Sequence, residues 1–126
     1  MNEIELRTDR KRQLVDITNQ VSGAVAGEDG VWLVYVPHTT AGVTINEGAD
    51  PDVARDILMV WERLVPEDLS YRHTEGNAPA HVMSCLADSS VMVAVDGGEL
   101  QLGRWQSIFF CEFDGPRSRR VWLSRV

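Results

Sequence analysis

Residues 31–36 read VWLVYV, six apolar residues in a row between Gly30 and Pro37. The run is far shorter than the roughly 18 apolar residues that a membrane-spanning helix needs. It is rich in β-branched and aromatic side chains, so it reads as a strand. Successive side chains of a strand point to opposite faces, and here both faces are apolar. Such a strand is buried on both sides or lies at an interface. Other parts of the chain, or another chain, must cover it.

The remaining segments supply candidate layers. NEIELRT alternates apolar and polar residues and reads as an opening strand, with QLVDIT as a second. Asp16 or Thr18 is expected to cap a short helix with apolar positions at Val21, Ala24 and Val25. AGVTINEG reads as a strand preceded by a turn over residues 39–42. ADPDVARDILMVWERLVP is the clearest helix, with Asp50 as cap, Pro51 in the first turn and Pro66 beyond the end. Val53, Ile57, Val60, Trp61 and Leu64 follow its helical spacing. A further helix is expected over PAHVMSCLAD, and then a strand and Gly turn in SSVMVAVDGGEL. RWQSIFFCEFDGP and RRVWLSRV read as closing strands joined by a turn over residues 114–116. The element order lacks regular βαβ alternation. It predicts a single α+β domain, residues 1–126, with a mixed, mainly antiparallel sheet and two to three helices.

Composition narrows the function classes. With 44% apolar and 25% charged residues, 126 residues form an ordinary globular domain. A net charge of −7 argues against a general nucleic-acid surface. No segment is expected to enter a membrane. MNEIELRTDRKRQ has no apolar stretch behind its charges, so it is not read as a signal peptide and the expected location is the cytoplasm. Cys85 and Cys111 sit in apolar surroundings and are expected to be buried thiols. Positive charge gathers locally at Arg117, Arg119, Arg120 and Arg125, which suits a small anion better than a polymer. The same pattern also fits a solvated strand face.

The chain has three histidines, and all lie beside loops rich in Gly, Pro, Thr and Asn: His38 in VPHTTAG, His73 and His81 in YRHTEGNAPAH. Neutral imidazoles bind divalent metals, and three of them leave an open position for water or substrate. The spacing matches no standard zinc motif, so a structural role for each remains open. Asn46, Glu47 and Asp50 put an amide and two carboxylates at a strand-to-helix junction, where capping accounts for Asp50 but less readily for Glu47. Trp105 and Gln106 open a strand, and Trp105 reads first as packing or a subunit contact. There is no phosphate-binding glycine loop with its lysine, and no Ser–His–acid pattern.

Three long stretches, residues 37–57, 71–82 and 98–121, resemble in the same order the YjbQ family, whose members are described as secondary thiamine-phosphate synthase enzymes. The resemblance implies a compact homotrimer of small α+β chains. His38, His73 and His81 match the family histidines, which implies a metal or anion site with zinc or magnesium as the candidate ion. The implied reaction joins a thiazole phosphate to a pyrimidine methyl diphosphate with loss of pyrophosphate. Such chemistry needs cations on the leaving group and room for two flat rings. His38, Glu47, His73 and His81 are then the candidate catalytic residues. Thr39, Asn46, Asn77, Trp105, Gln106, Arg117 and Arg119 are the candidates for a small phosphorylated metabolite. The alternatives are a non-enzymatic small-anion or metal-binding trimer, and a metal-dependent hydrolase of a phosphorylated metabolite. Three positions depart from the family pattern: Arg104 in LGRWQ, Met83 where lysine is frequent, and Asp88 where glycine is usual.

Overall fold

Alternation in NEIELR produces β1 (Asn2–Arg7), and QLVD forms β2 (Gln13–Asp16) in the computed structural model, which describes residues 1–126. Helix α1 (Thr18–Val25) follows. Its N-cap position is held by Ile17 rather than Asp16 or Thr18. Asp16 acts one residue earlier, accepting from the backbone N and hydroxyl of Thr18 at 3.0 and 2.6 Å. The apolar run forms β3 (Gly30–Tyr35), and β4 (Ala41–Glu47) follows the His38 loop. Helix α2 (Pro51–Leu64) starts as its sequence predicts, with the Asp50 carboxylate accepting from Asp52 N at 2.9 Å and Pro51 in the first turn. Helix α3 (Ala78–Ala87), β5 (Ser90–Asp96), β6 (Glu99–Leu100), β7 (Gln106–Glu112) and β8 (Ser118–Arg125) complete the chain.

The strands form two sheets, one with order β1-β8-β3-β5-β6 and one with order β2-β7-β4. Every pairing is antiparallel, in keeping with the mainly antiparallel sheet expected from the element order, although the strands divide between two sheets and no parallel pair occurs. The sheets face each other across the main core. Trp32, Val34, Val93, Val121 and Leu123 of the larger sheet meet Val43, Ile108 and Phe110 of the smaller, with Val21 and Val25 of α1 included. The smaller sheet turns its other side to α2 and α3. There Phe109, Cys111 and Phe113 pack on Met83, Ala80, Ala87 and Val65.

Strand β7 is therefore the one buried on both faces, because it is central in the middle layer. Strand β3 buries only Trp32 and Val34. Val31 and Tyr35 on its other face are exposed, beside Met92 of β5, and Tyr35 stacks on Trp122 of β8 at 6.0 Å. That outer face is left uncovered within one chain. Helix α2 also departs from its predicted face. Ala54, Leu58 and Trp61 pack inward, while Val60 and Leu64 are exposed, and no residue of the helix is fully buried. No helix is long and apolar enough to cross a membrane.

Candidate functional site

The loop between β3 and β4 is pinned at both ends. Val36 and Thr40 are buried, Val36 N donates to Ser89 O at 2.8 Å, and Thr40 O accepts from Phe113 N at 3.2 Å. His38 projects between these anchors. Pairing of β3 with β8 stops at Tyr35 and Trp122, which frees the next N–H along that edge of β8. His38 takes it: its Nε2 accepts from the Arg120 backbone N at 3.0 Å. Burial pushes the His38 pKa below its usual value, and the neighbouring Arg119 charge pushes it further, with Glu112 opposing; the Arg120 N–H, which can donate only to an unprotonated Nε2, also favours the neutral ring. A neutral imidazole that accepts at Nε2 carries its proton on Nδ1, so the remaining ring nitrogen is a donor.

Behind His38 lies a buried ion pair. Arg119 Nε donates to the two Glu112 oxygens at 2.9 and 3.2 Å, and one terminal nitrogen donates to Thr40 O and Oγ1 at 3.2 and 2.9 Å. Glu112 also accepts from Thr8 Oγ1 at 2.7 Å and from the Phe113 and Asp114 backbones at 3.1 Å. Burial alone would raise the Glu112 pKa, but the bonds from Arg119, Thr8 and Asp114 outweigh it and hold the carboxyl below its ordinary range.

Helix α3 brings His81, with His73 entering from the preceding loop. Their rings meet edge to face with centroids 5.1 Å apart. Asn77 ties the start of α3 to the β7–β8 turn, donating to Asp114 Oδ2 at 2.9 Å, while its own Oδ1 is buried without a partner. Arg117 grips the same Asp114 at its carboxylate and main-chain oxygens, 3.2 and 2.9 Å away. At the other end of α3, Gly42 of β4 allows close approach. A Cβ there would stand 2.5 Å from Asp88 O and 2.9 Å from the Ala87 Cβ. Asp88 has φ 80° and ψ 162°, a backbone region almost confined to glycine. Here the strain is accepted by a residue with a carboxylate side chain.

The histidines line a row of cavities. One of about 600 Å³ joins His38 and Thr39 to His81, Ser84, Cys85 and Asp88. One of about 500 Å³ joins His38 to Arg7, Ser118, Arg119 and Arg120. A third, of about 410 Å³, has His73 and His81 on its wall. The three imidazoles do not form a common ligand set, and no three His, Cys, Asp or Glu side chains of the chain are placed to hold one ion. His38 would also have to give up its bond from Arg120 to offer Nε2 to a metal.

Several candidates fall elsewhere. Glu47 pairs with Gln106, whereas Ala41 pairs with Glu112 at the far end of the same ladder. At about 3.4 Å per residue that separation is roughly 20 Å. Within one chain, Asn46, Glu47, Trp105 and Gln106 thus lie at the end remote from His38. Asn46 Oδ1 and Gln106 Oε1 accept from the backbones of Glu47 and Gly103 at 2.8 Å each. Trp105 is not packed in this chain: it is 55% exposed, and Arg104 lies over its ring at 4.7 Å. Arg119 is buried and committed to Glu112, so Arg117 is the more accessible of the two. Cys111 is buried as expected and its thiol pKa is raised by burial, but Cys85 is exposed on α3. Ser84, Cys85 and Asp88 are site residues that sequence reasoning passed over. Helical spacing from His81 would have indicated the first two.

A family description, UPF0047 protein YjbQ-like, matches residues 2–126. The chain is 44% identical to the UPF0047 protein YugU of Bacillus subtilis, with 100% of this chain and 98% of the relative covered. It is 47% identical to a UPF0047 protein of Archaeoglobus fulgidus, over 94% of this chain and 95% of the relative. Among solved structures, an uncharacterised YjbQ/UPF0047 protein of Clostridium acetobutylicum superposes with TM-score 0.95 at 47% identity, with both chains fully covered (100%). A conserved hypothetical protein of Thermus thermophilus gives TM-score 0.95 at 42% identity, again with both chains covered to 100%.

Proposed function

Because the chain belongs to the YjbQ-like UPF0047 family, we propose that it is a small-metabolite enzyme that binds phosphorylated compounds around His38. One observation carries this reading: His38 stands between two adjoining cavities, one of which carries Arg7 and Arg120, with Glu5 beside Arg120 and Arg119 held from behind by Glu112. The arginine side suits a phosphate or pyrophosphate, since guanidinium matches phosphate oxygens in a bidentate fork. The side shared with His81 suits the uncharged body of the ligand. Neutral His38 offers an Nδ1–H donor and positions no negative charge against the anion. The resemblance to the family supplies the finer candidate, a secondary thiamine-phosphate synthase activity. In that reaction both partners carry phosphate and pyrophosphate leaves. The arginines would stabilise the leaving group, and the cavities would hold the rings.

A divalent ion would rest on the His73–His81 pair, with further donors from outside this chain. The residues of one chain do not complete such a site. The exposed outer face of β3, β5 and β8 is proposed as the contact between copies of a homotrimer, the state implied by the resemblance. That arrangement would place the arginine cavity, with Arg120 of β8, beside the subunit boundary.

Calorimetric titration with inorganic pyrophosphate tests the reading. Arg7→Ala and Arg120→Ala should each weaken binding about tenfold, one decade corresponding to about 1.4 kcal/mol. Pyrophosphate release from the thiazole and pyrimidine substrates tests the finer claim. Undiminished pyrophosphate affinity in the Arg7→Ala, Arg120→Ala double variant would overturn the site.

A further inference from the structure

Strand β3 leaves its ladder with β8 at a proline. The register that sets Tyr35 opposite Trp122 would set Pro37 opposite Arg120, and proline has no N–H to exchange there. The Arg120 N–H is met instead by a side chain, Nε2 of His38, at 3.0 Å. A titratable ring thus stands in for a backbone carbonyl at the edge of the larger sheet. A carbonyl accepts at every pH, whereas Nε2 accepts only while it carries no proton.

Protonation sets Nε2–H against the Arg120 N–H, donor against donor, so the charged ring cannot keep its place. The groups around it decide whether it can charge at all. From β8, Arg119 and Arg120 line one cavity with His38, and the Arg117 charge also acts on the ring. Glu5 and Arg7 enter from β1, and Glu3 and Glu5 lie 3.6 and 4.0 Å from the Arg120 guanidinium. From β7, Glu112 acts on the ring but is spent on Arg119. His81, Cys85 and Asp88 stand on the α3 side. Burial and the Arg119 charge prevail among these, and the empty site disfavours imidazolium. An anion bound against the arginines reverses that balance.

We propose that His38 couples anion binding to proton uptake: neutral, it closes the β3–β8 edge through Nε2; protonated, it releases the Arg120 N–H and turns onto an oxyanion held by Arg7 and Arg120. The coupling rests on the anion site proposed above and adds its regulation by pH. By linkage, the anion raises the His38 pKa by as much as protonation strengthens anion binding. In the free protein that pKa lies below 6.5, so the ring is neutral at pH 8. The gain in affinity begins as pH falls through the higher, anion-bound pKa and levels off below the free one.

Sulfate is the probe, because its own charge does not change between pH 8 and pH 5.5, a window that also lies above the ordinary range of the neighbouring carboxylates. Calorimetric titration of the full chain, in two buffers of different ionisation enthalpy, reads affinity and protons together. Sulfate should bind at least about fivefold more tightly at pH 5.5 than at pH 8, with net proton uptake between. His38→Gln gives the Arg120 N–H an amide oxygen that does not titrate, and should lose both the pH dependence and the uptake. The Arg120 amide proton resonance needs no ligand: it should shift as His38 titrates in the wild type. Should the variant fold poorly, an Arg120 amide that stays fixed through that titration overturns the latch. Sulfate binding that is equal at both pH values, without proton uptake, overturns the coupling and leaves the anion site standing. A pH dependence that persists in His38→Gln also overturns it and assigns the proton to His73 or His81. Absence of saturable binding of both sulfate and pyrophosphate at either pH overturns the anion site and the coupling with it.

Discussion

Arg119 and Glu112 form an ion pair with both side chains almost wholly buried, 3% and 0% exposed, and the pair lies directly behind His38. Its two partners sit on β7 and β8, one on each side of the turn that also carries Asp114 and Arg117. The pair links three parts of the candidate site through the Thr40 loop, the turn and the first strand. Burying two charges is costly, and satisfying every remaining lone pair is what makes this arrangement tenable.

Removing one partner should therefore be severe. Glu112→Ala leaves the Arg119 guanidinium buried without its counter-charge, and is expected to lower unfolding stability by about 3–5 kcal/mol. Glu112→Gln keeps hydrogen bonding to Thr8 and should cost less than the alanine change. Chemical denaturation of both variants measures the difference. Equal, small losses would mean that the pair contributes little to the fold.

The pH dependence has two parts with the same sign. The folded-state pKa of His38 lies below 6.5, so the native state resists its protonation, and stability should decline as pH falls from 6.5 through the folded value. Glu112 lies below 4.5 in the native state, so its contribution is intact above 4.5 and is lost as pH falls through the folded value. Thermal unfolding from pH 8 to pH 3 should show both declines. His38→Gln should remove the upper one alone, and a profile identical to the wild type would exclude His38 as its source.

The α3–β4 junction offers two opposite tests. Gly42→Ala forces a Cβ against the Asp88 carbonyl and the Ala87 side chain, and should destabilise the fold by about 1–3 kcal/mol. Asp88→Gly relieves a left-handed backbone but gives up the bond from Ser89 N at 2.7 Å. Relief of such strain is about 1–3 kcal/mol, and a lost surface hydrogen bond is about 1, so the net change should be stabilising or neutral. A clear destabilisation by Asp88→Gly would show that the carboxylate holds the junction.

Oligomerisation provides the last test. Met92 is 64% exposed on the apolar outer face, beside Leu33 of β3. Met92→Glu places a charge there without touching either core. If that face joins copies, the wild-type chain should sediment as a trimer at micromolar concentration and the variant as a monomer. A monomeric wild type would remove the proposed contact.

Much of the local structure was legible because it depends on neighbours in the chain. The Asp50–Pro51 start of α2, the Gly97–Gly98 turn and the closing hairpin each follow from short-range stereochemistry. Of the candidate site, the sequence pointed to the residues but not to their grouping: His38, Thr39 and His81 line one cavity, and His73 and His81 line another. Glu47 and Trp105 could not be placed from their motifs. Distance along the sequence does not reveal that β4 and β7 run antiparallel and carry them to the end away from His38.

The sequence by itself determined which segments extend and which coil, through residue periodicity, caps and turn residues. Only the tertiary structure decided the layers. IFFC and VWLVYV are equally apolar, yet β7 became the strand covered on both faces and β3 kept one face open. The reason is combinatorial and physical: burial is settled by which sheet lies over which, a matter of long-range pairing and packing that no local window contains. The same pairing placed Arg119 inside against Glu112 and left Arg117 and Arg120 outside, although all three stand within four residues of one basic run.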